Sequence, residues 1–289
     1  MAEPRTDYTD DLRLAHLLAD DADSLTTSRF KALDLHVVSK PDLTPVTDAD
    51  RGVEEAIRRT LSRVRSRDAV TGEEMGTTGS SNRRWIVDPI DGTKNFVRGV
   101  PVWATLIALA VDDEVVCSVV SAPQLQRRWW AHAGGGAWTG KSLMKASQIH
   151  VSDVRRLEDA SFSYSSLSGW EERDRLDEVL ALMRRVWRTR AYGDFWSYML
   201  VAEGAVEIAA EPELGLYDMA ALDVIVREAG GRFSSLDGSP GPWGGNAVAT
   251  NGHLHEAALA YLGSLPDSDD DDPDWPRTGP GSVSPLRGR

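Results

Sequence analysis

With 289 residues, of which 41% are hydrophobic and 27% charged, the chain has the balance of an ordinary globule and length for one large domain or two intimate halves. A formal net charge of −13 excludes sequence-independent nucleic-acid binding, which needs a basic surface, but leaves room for an anionic phosphate wherever bound cations reverse the local field. Cys117 is the single cysteine, so an intrachain disulfide and a cysteine metal cluster are both excluded. No apolar run approaches the roughly 18 residues of a membrane span and no secretion signal opens the chain, making a cytoplasmic location the default expectation.

Apolar residues at helical spacing (Leu12, Leu14, Ala15, Leu17, Leu18, Leu25) predict a helix over Thr9 to Ser28. A strand follows over Leu33 to Ser39. Thr47 or Asp48 then caps a helix carrying Val53, Ala56, Ile57, Leu61 and Val64. The short run Asp68 to Thr71 leads into Gly72-Glu73-Glu74, and the β-prone run Trp85-Ile86-Val87 leads into Asp88-Pro89-Ile90-Asp91-Gly92-Thr93. Trp103 to Val111 and Val115 to Ser121 form a hairpin across Asp112-Asp113-Glu114. Arg127 to Ala133 and Gly136 to Trp138 continue the strands, with Gly134-Gly135-Gly136 as hairpin punctuation. The triplet lacks the spacing of a dinucleotide motif.

The second half opens near Ser152. It reads as a strand (Asp159 to Tyr164), an amphipathic helix (Glu171 to Arg185) and a strand (Trp187 to Ala191). A helix from Gly193-Asp194 to about Glu203 comes next, then a strand (Val206 to Ala210) and a helix (Met219 to Ala229) stopped by Gly230-Gly231. Alternation of strands and helices predicts a layered α/β architecture. His253 and His255 read as a surface cap on the last helix. The expected organisation is one domain over 1–265, in halves of about 1–150 and 151–265, followed by a disordered acidic and proline-rich tail over 266–289.

The Asp88 to Thr93 turn carries the most chemistry. An apolar strand delivers two carboxylates, three positions apart, onto a rigid corner where they stay accessible. Hard divalent cations take such oxygen ligands, and Mg²⁺ demands near-octahedral geometry. Gly92 permits a sharp turn, and Thr93 offers a hydroxyl and an amide. A strand followed by an acidic hairpin turn is the plain alternative for an isolated fragment.

The segment resembles the signature of the inositol monophosphatase superfamily of metal-dependent, lithium-sensitive phosphatases, D-P-[ILV]-D-G-[ST]-x-N-[FY], through Asn95 and Phe96. Gly72-Glu73-Glu74 resembles that family's G-E-E element. Tyr217-Asp218-Met219-Ala220-Ala221 followed by Glu228-Ala229-Gly230-Gly231 is similar to its W-D-x-A-A…E-A-G-G, with Tyr for the usual Trp. The likeness spans roughly residues 10 to 262. It implies an αβαβα sandwich, a homodimer, and two or three Mg²⁺ per site, and leaves open whether Mn²⁺ substitutes. Two ions roughly 3.5–4 Å apart would neutralise the phosphoryl oxygens, generate the nucleophile and stabilise the leaving oxygen. The resemblance implies that Glu73, Asp88 and the Ile90 carbonyl hold one metal, and that Asp88, Asp91 and Asp218 hold another. It also implies water activation by Glu73 and Thr93, phosphate contacts from the amides of Gly92 and Thr93, and an aspartate at the start of the second helix that orients Thr93. That position is Asp48, with Asp50 its nearest competitor and helix capping the plain reading of either. Lys40 could steer phosphate or be a solvated loop lysine, and stays outside the expected site.

Selection of the leaving group is expected in the second half. Glu211, seven residues before Asp218, matches a family acid that binds a substrate hydroxyl. Asp194 stands where polyol-cleaving members carry a small or neutral residue. Two acids suit a leaving group bearing an ammonium or imidazolium, through charge-assisted hydrogen bonds. Phe195 could add a cation–π contact, or its ring could pack; Trp196 and Tyr198 read as core. The segment from Arg190 to Gly204, continuing through Glu211-Pro212-Glu213, looks like the histidinol-phosphatase branch of the family. It implies a small-molecule phosphate ester, L-histidinol phosphate, as substrate, with inositol-1-phosphate hydrolysis as the competing reading. A catalytically silent member would have lost a ligand, and Glu73, Asp88, Asp91, Thr93 and Asp218 are all present.

Overall fold

The computed structural model describes residues 7–39 and 45–263; Lys40 and the expected tail lie outside the described residues. Its chain forms five layers. First come α1 (Thr9–Arg29), the short hairpin β1 (Val37–Ser39) and β2 (Pro45–Thr47), and α2 (Asp48–Val64). The large sheet takes β3 (Ala69–Gly72), β4 (Gly76–Thr78) and β5 (Arg83–Asp91), then, after α3 (Thr93–Arg98), β6 (Ala104–Val111), β7 (Glu114–Ala122), β8 (Arg127–His132), β9 (Ala137–Ser142) and β10 (Lys145–Ile149). Its strand order is β10-β9-β8-β7-β6-β5-β3-β4. The smaller sheet, ordered β12-β11-β13-β15-β14, contains β11 (Ser161–Ser163), β12 (Arg188–Arg190), β13 (Ile208–Glu211), β14 (Arg232–Ser234) and β15 (Ala247–Thr250). Its helices are α4 (Leu167–Glu171), α5 (Leu176–Arg185), α6 (Asp194–Ala202), α7 (Leu216–Glu228) and α8 (His255–Leu262).

The two-residue period of a strand sorts side chains between the layers. Trp85, Val87, Ile107 and Leu109 face α1 and α2, where Leu18, Val53, Ile57 and Leu61 close one core. Their neighbours Ile86, Leu106 and Ala108 face the other way, onto Met199 and Val201 of α6 and Ala220, Ala221 and Val224 of α7. Those two helices rest their far side on Phe233, Ala209, Ala247 and Ala249 of the small sheet. Beyond that sheet, Phe162, Ile208, Ala210 and Val248 pack on Trp170, Val179, Leu182, Ala258 and Leu262 of α4, α5 and α8. Helix, sheet, helix pair, sheet, helix is the αβαβα sandwich that the resemblance implied. Strand β5 is buried on both faces, hence its unbroken apolar run.

Several elements differ from the sequence expectations. The strand predicted over Leu33 to Ser39 shrinks to Val37–Ser39, an exposed edge hairpin. The helix predicted over Glu171 to Arg185 breaks at Asp174, whose φ of 54° cannot continue a helix. His255 is fully buried between the Ser234 hydroxyl (2.9 Å) and the Thr250 hydroxyl (3.1 Å), so it ties α8 to the small sheet instead of capping its surface. His253 does lie at the surface, beside Asp153. The glycine triplet closes the β8–β9 turn, with the Gly134 and Gly136 amides both donating to the Glu228 carboxylate at 2.8 Å. Among the described residues, no helix is long and apolar enough to cross a membrane.

Candidate active site

Three positions along a regular strand put side chains on opposite faces, so Asp88 and Asp91 would point apart. A bulge prevents this. Asp88 pairs with Leu106 but Asp91 with Ala104, leaving an extra residue at Pro89-Ile90 that resets the alternation. The Pro89 carbonyl, lost to the ladder there, accepts from the Thr105 hydroxyl at 2.8 Å. The Asp88 carboxylate accepts the Ile90 N–H at 2.9 Å. Gly92 then turns the chain with φ 84°, and an added Cβ would sit 3.1 Å from the Val102 carbonyl and 3.3 Å from Asp194 Oδ2.

Asp218 arrives from the first turn of α7, where its Oδ2 accepts the Gly215 N–H at 2.7 Å. Asp88, Asp91 and Asp218 each bring an oxygen within 4.8 Å of the other two. Glu73 stands outside this triad, at the turn between β3 and β4, with its N–H on the Val87 carbonyl at 3.2 Å. Its charge nonetheless bears on all three. Burial first, then Glu73, Asp91 and Asp218, push the Asp88 carboxyl well above the ordinary range. Burial, then Asp194 and Asp218, do the same to Asp91. Asp218 is raised to about 7 by burial and by Glu73 against the Gly215 hydrogen bond. Among the described residues none of the three makes a salt bridge. Asp88 is buried and the other two are half-buried; like charges crowded there without a counter-charge are costly, and a bound divalent cation relieves that crowding by supplying the missing charge. The donor set is all oxygen, as Mg²⁺ requires. The Ile90 carbonyl also faces this corner, accepting the Thr93 hydroxyl at 2.9 Å with a second lone pair to spare.

The aspartate beside Thr93 is Asp50, not Asp48. Thr47 caps α2, and the N3 residue of that capping box is Asp50: its Oδ2 accepts from the Thr47 N–H (2.7 Å) and hydroxyl (2.5 Å). This folds the Asp50 side chain back toward the protein, fully buried, with Oδ1 3.4 Å from Thr93 Oγ1. Burial raises it to about 6, with Glu74 and Glu73 adding to the shift. Asp48, at N1, points outward and pairs with Arg29 at 2.7 Å.

The second half supplies the opposite wall. A cleft of about 190 Å³ is lined by Asp91, Asp194, Glu211, Ser165, Tyr198 and Asp218, among others. The Ser165 hydroxyl donates to Glu211 Oε1 and accepts the Asp194 N–H at 2.9 Å, linking the Glu211 carboxylate to the start of α6. Asn95 Nδ2 bridges Asp194 Oδ2 (3.0 Å) and the Val102 carbonyl (2.9 Å). Glu211 is buried and raised to about 8, mainly by burial and further by Asp194 and Asp218. Burial also raises Asp194, against the pull of Lys94. Phe195 borders the cleft, but its ring is 1% exposed and packs toward Trp129 at 6.0 Å. What it gives the site is its backbone N–H, donated to Asp91 Oδ2 at 2.6 Å. Sequence reasoning missed Ser165, which no motif marks, and Asn95, which lay inside the motif without a role. It read Tyr198 as core. Tyr198 is buried, but it also lines this cleft, and its hydroxyl has no hydrogen-bond partner among the described residues.

A family model described as the inositol monophosphatase family matches residues 8–266. A histidinol-phosphatase of Streptomyces coelicolor is 64% identical over 89% of this chain and 98% of its own length. One from Mycobacterium tuberculosis is 60% identical over 88% and 98%. Among solved structures, the extragenic suppressor protein suhB of Bartonella henselae superposes with TM-score 0.80 at 30% identity, covering 88% of this chain and 98% of that one. An inositol monophosphatase of Zymomonas mobilis gives 0.78 at 32% identity, covering 89% and 99%. The chain belongs to the inositol monophosphatase family.

Proposed function

We propose that this protein is a Mg²⁺-dependent phosphoric monoester hydrolase that converts L-histidinol phosphate to L-histidinol and inorganic phosphate in histidine biosynthesis. The observation that carries the substrate is the pair Asp194, half-buried, and Glu211, buried, which line one cleft on the wall facing the carboxylate floor, with Ser165 linking the Glu211 carboxylate to the Asp194 backbone N–H. An ammonium or imidazolium on the leaving group gives them the counter-charge that a neutral cyclitol does not. Two relatives at 64% and 60% identity that bear the name histidinol-phosphatase support the same reading.

Glu73, Asp88, Asp91, Asp218 and the Ile90 carbonyl are the residues that would hold the metal. Bound Mg²⁺ supplies neutralisation of the phosphoryl oxygens, a water of lowered pKa and charge stabilisation at the leaving oxygen. Around it the protein positions the reactants. The Thr93 hydroxyl has two acceptors for its one proton, Ile90 (2.9 Å) and Asp50 (3.4 Å); giving it to Asp50 leaves the Ile90 oxygen for the metal and the Thr93 lone pairs for the attacking water. Glu73 accepts the proton that this water gives up as it attacks, Thr93 takes a hydrogen bond from the proton it keeps, and the departing alkoxide takes its proton from solvent water. The amides of Gly92 and Thr93 orient the phosphate. Glu211 and Asp194 hold the cationic leaving group, and that contact favours their ionised forms. A cytoplasmic homodimer belongs to the same reading.

The test is phosphate release in Mg²⁺ buffer from L-histidinol phosphate and from inositol 1-phosphate. Charge-assisted contacts are worth roughly 1.5–3 kcal/mol, so kcat/KM is expected to favour histidinol phosphate by at least about tenfold. Equal or faster turnover of inositol 1-phosphate overturns the substrate assignment. Absence of release from any ester overturns the enzymatic one.

A further inference from the structure

The turn carrying Glu73 is gripped from behind by a largely buried ion pair on α2. Strand β3 ends at Gly72 and β4 begins at Gly76, so Glu73, Glu74 and Met75 span the gap. Glu54 is fully buried and sends its carboxylate into that turn. Oε2 accepts the Glu74 N–H at 2.8 Å and Oε1 accepts the Met75 N–H at 3.2 Å. The approach is so close that a Cβ on residue 72 would lie 2.0 Å from Glu54 Oε1, so a larger residue there would have to displace the Glu54 carboxylate from the turn. Arg58, one helical turn on, donates from Nε to Glu54 Oε1 at 2.8 Å. Its remaining nitrogens reach the Gly76 carbonyl, the Thr78 hydroxyl (2.9 Å) and the Val70 carbonyl (3.4 Å). On the other side the Glu73 N–H is tied to Val87, the residue before Asp88.

A buried ion pair is a poor device for stability alone, since apolar side chains of similar volume often serve as well. What this pair supplies is direction. It fixes the amides on the C-terminal side of Glu73 while β5 fixes its own amide, so the side chain leaves the turn along one path. That restraint opposes the like-charge repulsion from Asp88, Asp91 and Asp218.

We propose that Glu54 and Arg58 are positioning residues for metal binding: they hold Glu73 where its carboxylate can join the ligands, without touching metal or substrate themselves. The inference rests on the reading that Glu73 is a metal ligand.

Mn²⁺ binding to the full chain, read from the free-ion electron paramagnetic resonance signal, tests it without recourse to activity. Partners that orient metal ligands typically carry 10–100-fold in affinity. Arg58→Lys, which keeps the charge but loses the fork, is expected to raise the Mn²⁺ dissociation constant about tenfold. Glu54→Gln is expected to raise it further, and Thr78→Val, which removes one exposed tether, only about twofold. Phosphate release by Arg58→Lys is expected to recover at saturating Mn²⁺. Asp23→Asn serves as a stability control: its pair with Arg128 at 2.6 Å joins α1 to β8 away from the metal turn. Asp23→Asn is expected to lower the melting temperature and leave Mn²⁺ affinity unchanged. Arg58→Lys that folds and binds Mn²⁺ like the wild type overturns the proposal, as does an equal loss of affinity in Asp23→Asn. If Asp91→Asn also binds Mn²⁺ undiminished, the metal site itself has been misplaced and the inference falls with it.

Discussion

Asp88 and Asp91 come from four residues of one strand, whereas Asp194 and Glu211 come from α6 and β13, brought together by packing across the sandwich. The floor acids crowd one another: three carboxylates lie within 4.8 Å, and each accepts from a protein amide, that of Ile90, Phe195 or Gly215. The wall acids each have a neutral side-chain partner, the Ser165 hydroxyl on Glu211 and the Asn95 amide on Asp194. On the proposed function the floor awaits a cation, whereas the wall already has neutral partners. A site divided this way can keep its phosphoryl chemistry fixed while the wall is tuned to the alcohol released.

Substitutions that separate floor from wall sharpen this division. The largest effect is expected for Asp91→Asn, which removes one floor charge: kcat/KM falls by roughly 10²–10³-fold or more on every ester alike, with weakened Mg²⁺ binding. Substantial residual activity would remove Asp91 from the metal site. Next comes Asp50→Asn, expected to cost roughly 10–100-fold in kcat on every ester, within the range for general acid–base support. Asp48→Asn is expected to change kcat by no more than about twofold, as for a surface ion pair. Steady-state kinetics of the two variants side by side decides between them, and the reverse ranking would restore Asp48.

A smaller effect is expected in the stability of metal-free protein. Asp218 and Glu211 are raised to about 7 and about 8, so their contribution is present at low pH and lost as pH rises through those values. His16 and His255 are lowered to about 4, chiefly by burial, so theirs is present above about 6.5 and lost on acidification. Between pH 6.5 and 8.5 only the carboxylates act. Each costs about 1.4 kcal/mol for every pH step of one over which it stays protonated in the folded chain and ionised in the unfolded one. In EDTA the melting temperature is therefore expected to fall by a few degrees across that window, and Mg²⁺ is expected to raise it most at the alkaline end. A flat profile in EDTA would mean that the floor is not under charge stress.

Local sequence carried much of this molecule and failed at identifiable places. The five-layer fold follows from alternating strands and helices and from the motif resemblance, and it is the architecture found. Asp88, Asp91 and Asp218 converge as their segments suggested. The choice of Asp48 over Asp50 failed because the capping box decides which aspartate turns inward: Thr47 at N-cap makes Asp50 the N3 partner, a signal present in Thr47-x-x-Asp50 itself. Phe195 could not be placed from sequence, because which face of α6 meets Trp129 is a tertiary fact. Ser165 is invisible in the sequence for the same reason, since it matters only by lying between two acids distant in the chain. His255 resembles a surface cap until the small sheet brings Ser234 and Thr250 around it.

The most direct measurement is the ratio of kcat/KM for L-histidinol phosphate to that for inositol 1-phosphate, in the wild type and in Asp194→Asn. Residue 194 has φ 50°, a conformation asparagine tolerates as readily as aspartate, and the amide oxygen can still accept from Asn95, so the change isolates charge. The ratio is expected to fall by about tenfold, through loss of histidinol phosphate turnover with inositol 1-phosphate nearly unaffected. Equal losses on both esters would contradict the division between a floor that performs the chemistry and a wall that chooses the alcohol.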